Sequence, residues 1–436
     1  MRKFVFIFCL QLLTIGLSAQ EQPNIIIVYA DDMGYGDLGI NGQPNIQTPN
    51  LDRMAAEGVR FTNYYSASPA CTASRYALLT GKYPPRAGFR WVLSPRDPRG
   101  VHPSEHLLPE YLKEVGYKTA IFGKWHLGST KSSYLPTANG FDEYIGLPYS
   151  NDMIPPKYAD IALLHGVDTL ETNPDQSKLT KLYTDKAIAY IKANKKQPFF
   201  VYIPYAMPHV PLFPGAMFAG KSKRGTYGDV VEELDHYVGE LMSFLRKEKL
   251  DKNTYVIFTS DNGPWLTKKE KAGSAGLFRD GKGSTWEGGM REPFIVWGHR
   301  SLLPGSVVNE VFTALDILPS MLGKAGVDTF VNPIDGQNLG DLFTNKGVGR
   351  DVFFYFGLNH QLFAVRKGKW KLHVKTYSQL GIDYFKGTLP LLFNLDEDPS
   401  EKYNVASEHT TIVEELTQLI QDKEDEIKST GTFWDR

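Results

Sequence analysis

The strongest constraint in this chain is the run Asn24-Ile25-Ile26-Ile27-Val28-Tyr29-Ala30. A stretch this apolar, and this rich in β-branched residues, leaves no alternate position for water. It predicts a strand buried on both faces in a parallel sheet. The run stops at Asp31-Asp32-Met33-Gly34-Tyr35-Gly36-Asp37, which puts two adjacent carboxylates at a strand's carboxyl end. Open α/β sheets bind their ligands along that edge. The pattern recurs. Residues 117–122 lead into Gly123-Lys124-Trp125-His126-Leu127-Gly128, residues 199–205 into Ala206-Met207-Pro208-His209-Val210-Pro211, and residues 254–259 into Ser260-Asp261-Asn262-Gly263. Lys124 and His126, two apart on an extended segment, are predicted to point the same way. Taken singly, each polar cluster is a turn, a cap or surface decoration.

Between the first two of these strands lies Ser68-Pro69-Ala70-Cys71-Thr72-Ala73-Ser74-Arg75-Tyr76-Ala77-Leu78-Leu79-Thr80-Gly81. Its small residues allow a tight turn, and the run from Ser74 to Leu79 begins a helix. A helix N-terminus gathers orphan N–H groups and positive dipole, which suits an anion or an ionised nucleophile. Arg75 adds a fork of donors matched to an oxyanion. A lone cysteine is otherwise a small buried hydrophobe.

Cys71-x-Ala73-x-Arg75 followed by Leu79-Thr80-Gly81 resembles the signature of the type I sulfatases, within the alkaline-phosphatase-like superfamily. The Asp31-Asp32 start, the Gly-Lys-Trp-His-Leu-Gly phrase, Pro208-His209 and Asp261-Asn262-Gly263 resemble further motifs in the family's order. So does Gly281-Lys282-Gly283-Ser284-Thr285-Trp286-Glu287-Gly288-Gly289-Met290-Arg291-Glu292-Pro293. The likeness runs from Pro23 to about residue 326, and more weakly through Trp370-Lys371-Leu372 and Leu392-Phe393-Asn394-Leu395. The fold it implies is an α/β sandwich with a large mixed sheet between helices, plus a smaller C-terminal α+β unit with an antiparallel sheet. It also implies that Cys71 is oxidised to Cα-formylglycine (3-oxoalanine), whose hydrated aldehyde is the nucleophile. Ala73 stands where the usual pattern has proline. That departure resembles the variant handled by radical-type maturases, so a formylglycine-generating partner of that kind is implied.

The two cysteines fit this picture. Arg2 and Lys3 precede an apolar run over residues 4–17, and Gly16-Leu17-Ser18-Ala19 resembles a small-residue cleavage site. Residues 1–19 therefore read as an export signal, too short to span a bilayer. Its removal takes Cys9 and leaves Cys71 unpaired, so no intramolecular disulfide forms. An unpaired thiol in an oxidising compartment, periplasmic or extracellular, invites an explanation. Conversion to an aldehyde supplies one. The formal net charge of −1 gives no footprint for nucleic acid or an anionic membrane surface.

Length predicts about two to three domains, read as a catalytic unit over 20–340 and a C-terminal subdomain over 341–436. Helices are expected at 48–57, 104–115, 179–193, 230–247, 313–324 and 409–428. Residues 84–103 and 129–178 read as loops; Arg86, Arg90, Arg96 and His102 together offer charge to an acidic substrate, while each taken singly reads as a solvated loop residue. C-terminal strands are expected at Val352–Phe356, 362–366, 370–374 and Leu391–Asn394.

Asp31, Asp32, Asp261 and Asn262 are hard oxygen donors without clustered His or Cys, which argues for calcium or magnesium over zinc. Calcium is preferred, because its irregular coordination leaves room for residue 71 and a sulfate oxygen. The resemblance implies the remaining roles. Hydrated residue 71 attacks sulfur with Asp261 as proton acceptor, and His209, helped by Lys282, protonates the leaving alcohol. His126 then draws a proton from residue 71 as sulfate is expelled, while Arg75, Lys124 and Lys282 neutralise charge on the sulfate oxygens. The substrate implied is a sulfated saccharide. Two other readings stand beside it: a phosphodiesterase or phosphonate monoester hydrolase of the same superfamily, and an inactive exported glycan-binding relative.

Overall fold

The computed structural model describes residues 22–89 and 91–432. The export signal and Arg90 lie outside the described residues. Asn24–Ala30 is a strand buried at every position, as its lack of alternation requires. It sits centrally in a ten-stranded sheet. Thr254–Ser260 and Phe199–Pro204 flank it in parallel, and Lys118–Phe122 and Glu143–Gly146 continue the parallel set on the Phe199–Pro204 side. Beyond Thr254–Ser260 come antiparallel Phe294–Gly298, then Val59–Phe61 and Ser306–Val308. At the other edge, Ala162–His165 and Asp168–Thr172 form an antiparallel hairpin.

Each face of the sheet carries its own core. Ile25, Ile27 and Tyr29 pack against helices Cys71–Thr80, Leu108–Glu114 and Ala314–Lys324. Ile26, Val28 and Ala30 pack against Pro49–Glu57, Leu179–Asn194 and Gly225–Lys247. Each fully buried aliphatic side chain contributes about 1.5–3 kcal/mol. The Leu179–Asn194 helix follows its apolar spacing, burying Leu179, Tyr183, Ala187 and Ile191.

The C-terminal region forms a four-stranded antiparallel sheet of Val352–Phe356, Leu362–Lys367, Trp370–His373 and Leu391–Asn394. Helix Thr410–Thr430 packs on it through Leu416 and Ile420, and both belong to the same core as Ile25 and Tyr29. The large mixed sheet between helices and the smaller antiparallel unit are thus both present.

Several local readings differ. The segment 129–178, read as loop, contributes three short strands to the sheet; runs of four or five residues leave little periodicity to see. The helix expected from 104 begins at Leu108 with Pro109 in its first turn, and that expected from 230 begins at Gly225. The strand before Lys124 ends at Phe122, and Gly123 and His126 have φ of +142° and +59°. Lys124 and His126 therefore do not share the extended backbone expected of them.

Candidate active site

The carboxyl ends of the five parallel strands converge. Asp31 follows Asn24–Ala30, Asp261 follows Thr254–Ser260, His209 lies just beyond Phe199–Pro204, Lys124 follows Lys118–Phe122, and Ser150 and Asn151 follow Glu143–Gly146. Backbone bonds stitch these ends together: Asp261 N–H donates to the Ala30 carbonyl at 3.2 Å and Lys124 N–H to the Pro204 carbonyl at 2.7 Å. A Cβ at Gly123 would lie 2.0 Å from the Pro204 oxygen, so only glycine permits that approach.

Cys71 arrives from the opposite layer as the first residue of helix Cys71–Thr80, three residues earlier than expected. Ser74 Oγ donates to the Ser68 carbonyl at 2.6 Å and fixes the preceding turn. The helix closes at Gly81, with φ of +67° and an N–H donated to the Ala77 carbonyl at 2.8 Å. Cys71 Sγ lies 3.3 Å from Lys282 Nζ. Ligand atoms of Asp31, Asp32, Cys71 and His209 all lie within 4.8 Å of one another, every residue buried.

The charges are paired tightly. Lys282 Nζ donates to both Asp32 oxygens at 2.6 and 2.8 Å, and Lys124 Nζ donates to Asp31 at 2.5 Å and to Ser150 Oγ at 3.2 Å. Arg75 is fully buried; its Nη2 donates to Asp261 at 2.8 Å and lies 3.5 Å from Asp31. Nη1 donates to the Lys124 carbonyl at 3.2 Å, so one arm of the fork serves the carboxylates and the other the backbone, while Nε is buried without a hydrogen bond. Asn262 Nδ2 donates to Asp32 at 2.8 Å.

Burial and crowding set the protonation states. Asp261 is pushed up to about 7, by burial first and then by Asp31. Asp32 is raised by burial despite Lys282. Asp31 is held well below the usual carboxylate range, because Lys124, His209 and Arg75 outweigh its burial. Burial drives the Cys71 thiol far up, so it stays protonated at neutral pH and is no thiolate nucleophile.

The histidines have assignable faces. His126 Nε2 lies 2.9 Å from the Leu93 carbonyl, which only accepts, so Nε2 carries the proton and the buried, unpartnered Nδ1 presents a lone pair. His209 Nδ1 faces the Val210 carbonyl at 2.6 Å and Asn151 Oδ1 at 3.0 Å, which turns Nε2 toward Asp32 at 3.6 Å. Burial lowers both rings, with Lys124 and Lys282 the largest charge contributions for His126 and His209 respectively.

The donor set fits a hard divalent cation. Asp31 Oδ1 and Asn262 Oδ1 are buried without hydrogen-bond partners, and the Asp31, Asp32 and Asp261 carboxylates crowd together in the way such an ion relieves.

Other sequence candidates go elsewhere. Asp37 accepts from Gly34 N–H, Tyr227 Oη and Ser274 N–H, pinning the turn after Asp32. Arg86 binds Asp335 and Glu426, Arg291 donates to the Thr62 carbonyl and to Glu287, and His102 faces Ser104. Sequence reasoning missed Ser150 and Asn151, hidden in the segment read as loop. It also missed Trp265, whose ring lies 5.4 Å from that of His209 and 4.6 Å from Lys282 Nζ.

A parallel-sheet edge carrying clustered carboxylates and buried cations, met by a cysteine at a helix start, has the layout of an anion-handling active site. A family model described as sulfatase matches residues 23–327, and one described as the C-terminal region of aryl-sulfatase matches 348–434. The chain is 37% identical to N-acetylgalactosamine-6-sulfatase of Mus musculus, over 94% of this chain and 87% of that one. It is also 37% identical to arylsulfatase A of Homo sapiens, over 93% and 89%. Among solved structures, a 6S-sulfatase from work on glycosaminoglycan metabolism by Bacteroides thetaiotaomicron superposes with a TM-score of 0.84 at 29% identity, over 93% of this chain and all of that one. The protein belongs to the sulfatase family, and it is a sulfuric ester hydrolase. Among the described residues, no helix is long and apolar enough to cross a membrane.

Proposed function

We propose that this enzyme removes sulfate from a sulfated saccharide, with residue 71 working as formylglycine. The observation that carries the reading is the Cys71 position itself, at a helix N-terminus and 3.3 Å from Lys282 Nζ, with a thiol too strongly protonated to act unmodified. The hydrated aldehyde supplies the nucleophilic oxygen that the thiol cannot. Asp31, Asp32, Asp261 and Asn262 would hold calcium, with magnesium sharing the same donor preference. When bound, the ion supplies Lewis-acid polarisation of a sulfate oxygen and fixes residue 71.

The chain's own groups then divide the work. Lys124 and Lys282 put preorganised positive charge around the sulfate. Arg75 acts through Asp261 and Asp31, holding both carboxylates in place. Asp261 accepts a proton as residue 71 attacks. His209, whose Nδ1 proton is held by the Val210 carbonyl, donates from Nε2 to the leaving oxygen as the doubly protonated ring; an anionic sulfate bound beside it raises its proton affinity and offsets the effect of burial. The bare Nδ1 of His126 accepts a proton from residue 71 as sulfate leaves.

The substrate class follows the relatives, whose names point to sulfated amino sugars and glycosaminoglycans. We further read the chain as exported, with residues 1–19 removed, a catalytic unit over 20–340, a C-terminal subdomain over 341–436 and a radical-type maturase as partner. Two measurements test the proposal. The mass of the tryptic peptide spanning residues 61–75, taken from the native host, should show aldehyde at position 71. Matured, calcium-loaded protein should release free sulfate from a panel of singly sulfated sugars, N-acetylgalactosamine 6-sulfate first. A thiol at position 71 in a fully active enzyme would sink the mechanism, and cleavage confined to phosphate diesters would sink the substrate class.

A further inference from the structure

The loop joining Trp370–His373 to Leu391–Asn394 belongs to the C-terminal sheet, yet it reaches the Lys282 turn. Aromatic contacts anchor it there. The Arg279 guanidinium lies 4.4 Å over the Tyr384 ring, and Trp286 stacks on Phe385 with centroids 5.9 Å apart. Gly283 follows Lys282 directly, at φ +89°, and donates its N–H to the Pro69 carbonyl at 2.9 Å, two residues before Cys71. A Cβ on Gly283 would meet Gln379 Nε2 at 2.4 Å. The Gln379 amide therefore occupies the space that any other residue at 283 would fill, at the rim of the nucleophile's cradle.

That amide is uncommitted. Gln379 is half-buried, and its side chain makes no hydrogen bond to another described residue. A half-buried amide with no protein partner is hydrated, and a ligand hydroxyl can take the place of that water without breaking any bond within the protein. The same loop holds Tyr377, Leu380 and Ile382 between 36% and 46% exposed, an apolar rim beside a polar tip. Across the Lys282 turn stands the half-buried Trp265 indole, which carries Lys268 Nζ at 4.0 Å and Lys282 Nζ at 4.6 Å and keeps part of its ring exposed. A pyranose presents this combination in complement: a C–H face for the apolar rim and a hydroxyl edge for the amide.

We propose that Gln379 is a specificity-determining residue of the sulfatase site, its amide binding a ring hydroxyl beside the sulfate ester, with Trp265 and the Tyr377 rim flanking the sugar. The inference rests on the sulfatase reading and adds the element that selects the sugar. Because an amide both donates and accepts, it pairs with a hydroxyl in either orientation.

The test is a ratio: kcat/KM for the best sulfated monosaccharide of the panel, divided by kcat/KM for p-nitrophenyl sulfate, which has no ring hydroxyls. Gln379→Ala should lower this ratio about tenfold, the effect of one hydrogen bond to substrate. Gln379→Met keeps the length of the side chain and removes its hydrogen bonding, and should lower the ratio equally. A parallel fall on both esters would mean that Gln379 only supports the Gly283 turn, and would overturn the proposal. So would an unchanged ratio, or a ratio restored by methionine. Failure of the unmutated enzyme on every sulfate ester would instead overturn the sulfatase reading, and this inference with it.

Discussion

Two clusters of buried charge flank residues 282–291, and they are built on opposite rules. In the C-terminal cluster the carboxylates are saturated. Glu287 accepts from Lys371 at 2.8 Å, from Tyr65 at 2.6 Å and from Arg291 at 3.2 Å, while Glu401 accepts from the Glu287 N–H at 2.7 Å and pairs with Lys371 and His373. In the proposed catalytic cluster, Asp31 Oδ1, Asn262 Oδ1, Arg75 Nε and His126 Nδ1 are buried without a hydrogen bond, a state that His373 Nδ1 shares in the C-terminal cluster. The protonation states follow. Lys371, Arg291 and Arg366 outweigh burial and hold Glu287 down to about 2, whereas burial and like charge lift Asp261 to about 7. A saturated ionic cluster joins parts of a fold, here the catalytic sheet and the C-terminal sheet. An unsaturated one keeps its unmet valences for ions and substrate.

The contrast breaks first at residue 71. Cys71→Ala removes the proposed nucleophile and should lower sulfate release by at least about 10³-fold, with the urea midpoint nearly unmoved. A large stability loss without a large activity loss would reverse the two roles. Lys371→Met does the opposite. It strips Glu287 and Glu401 of their shared cation, should cost about 3–5 kcal/mol of stability in urea unfolding, and disturbs turnover only through the Lys282 turn.

Asp261→Asn sharpens the comparison from the catalytic side. Turnover should fall about 10²-fold or more, while the protein without added metal becomes no less stable, since a crowded charge has gone. Calcium should then raise the melting temperature less in this variant than in the parent.

The pH dependences have opposite signs. Glu287 has a depressed pKa, so its contribution is present above about 4.5 and is lost as pH falls toward about 2. Asp261 has a raised pKa, so folding without metal is favoured below about 3.8 and that advantage is lost as pH rises through about 7. Calcium binds the ionised form, so its stabilisation should be larger at pH 8 than at pH 5.5, by about 2 °C or more in melting temperature. An equal shift at both pH values would show that Asp261 is not among the ligands.

Much of this was legible along the chain. Asn24–Ala30 announces a two-faced buried strand because each position after Asn24 is apolar enough for a core, and the polar stops after it and its neighbours announce the ligand edge. Other features left no local trace. The helix start at Cys71 hides among small residues, and strands such as Glu143–Gly146 are too short to show a period. The positive φ of His126 arises where tertiary contacts override the local preference for extended backbone.

What the sequence by itself determined is therefore the strands, the stops that follow them and the residue types at the nucleophile. Only the tertiary structure decided which stops are neighbours. Asp31 meets Asp261 and Lys124 because the sheet order sets their strands side by side or one strand apart. Arg75 turns one arm of its guanidinium onto carboxylates that nothing nearby in the chain foretells. The C-terminal Glu401 and Gln379 reach the Lys282 turn from about a hundred residues away. Periodicity and propensity act over a few residues. Partners far apart in the chain are chosen by packing, by strand order and by the need to satisfy each buried charge.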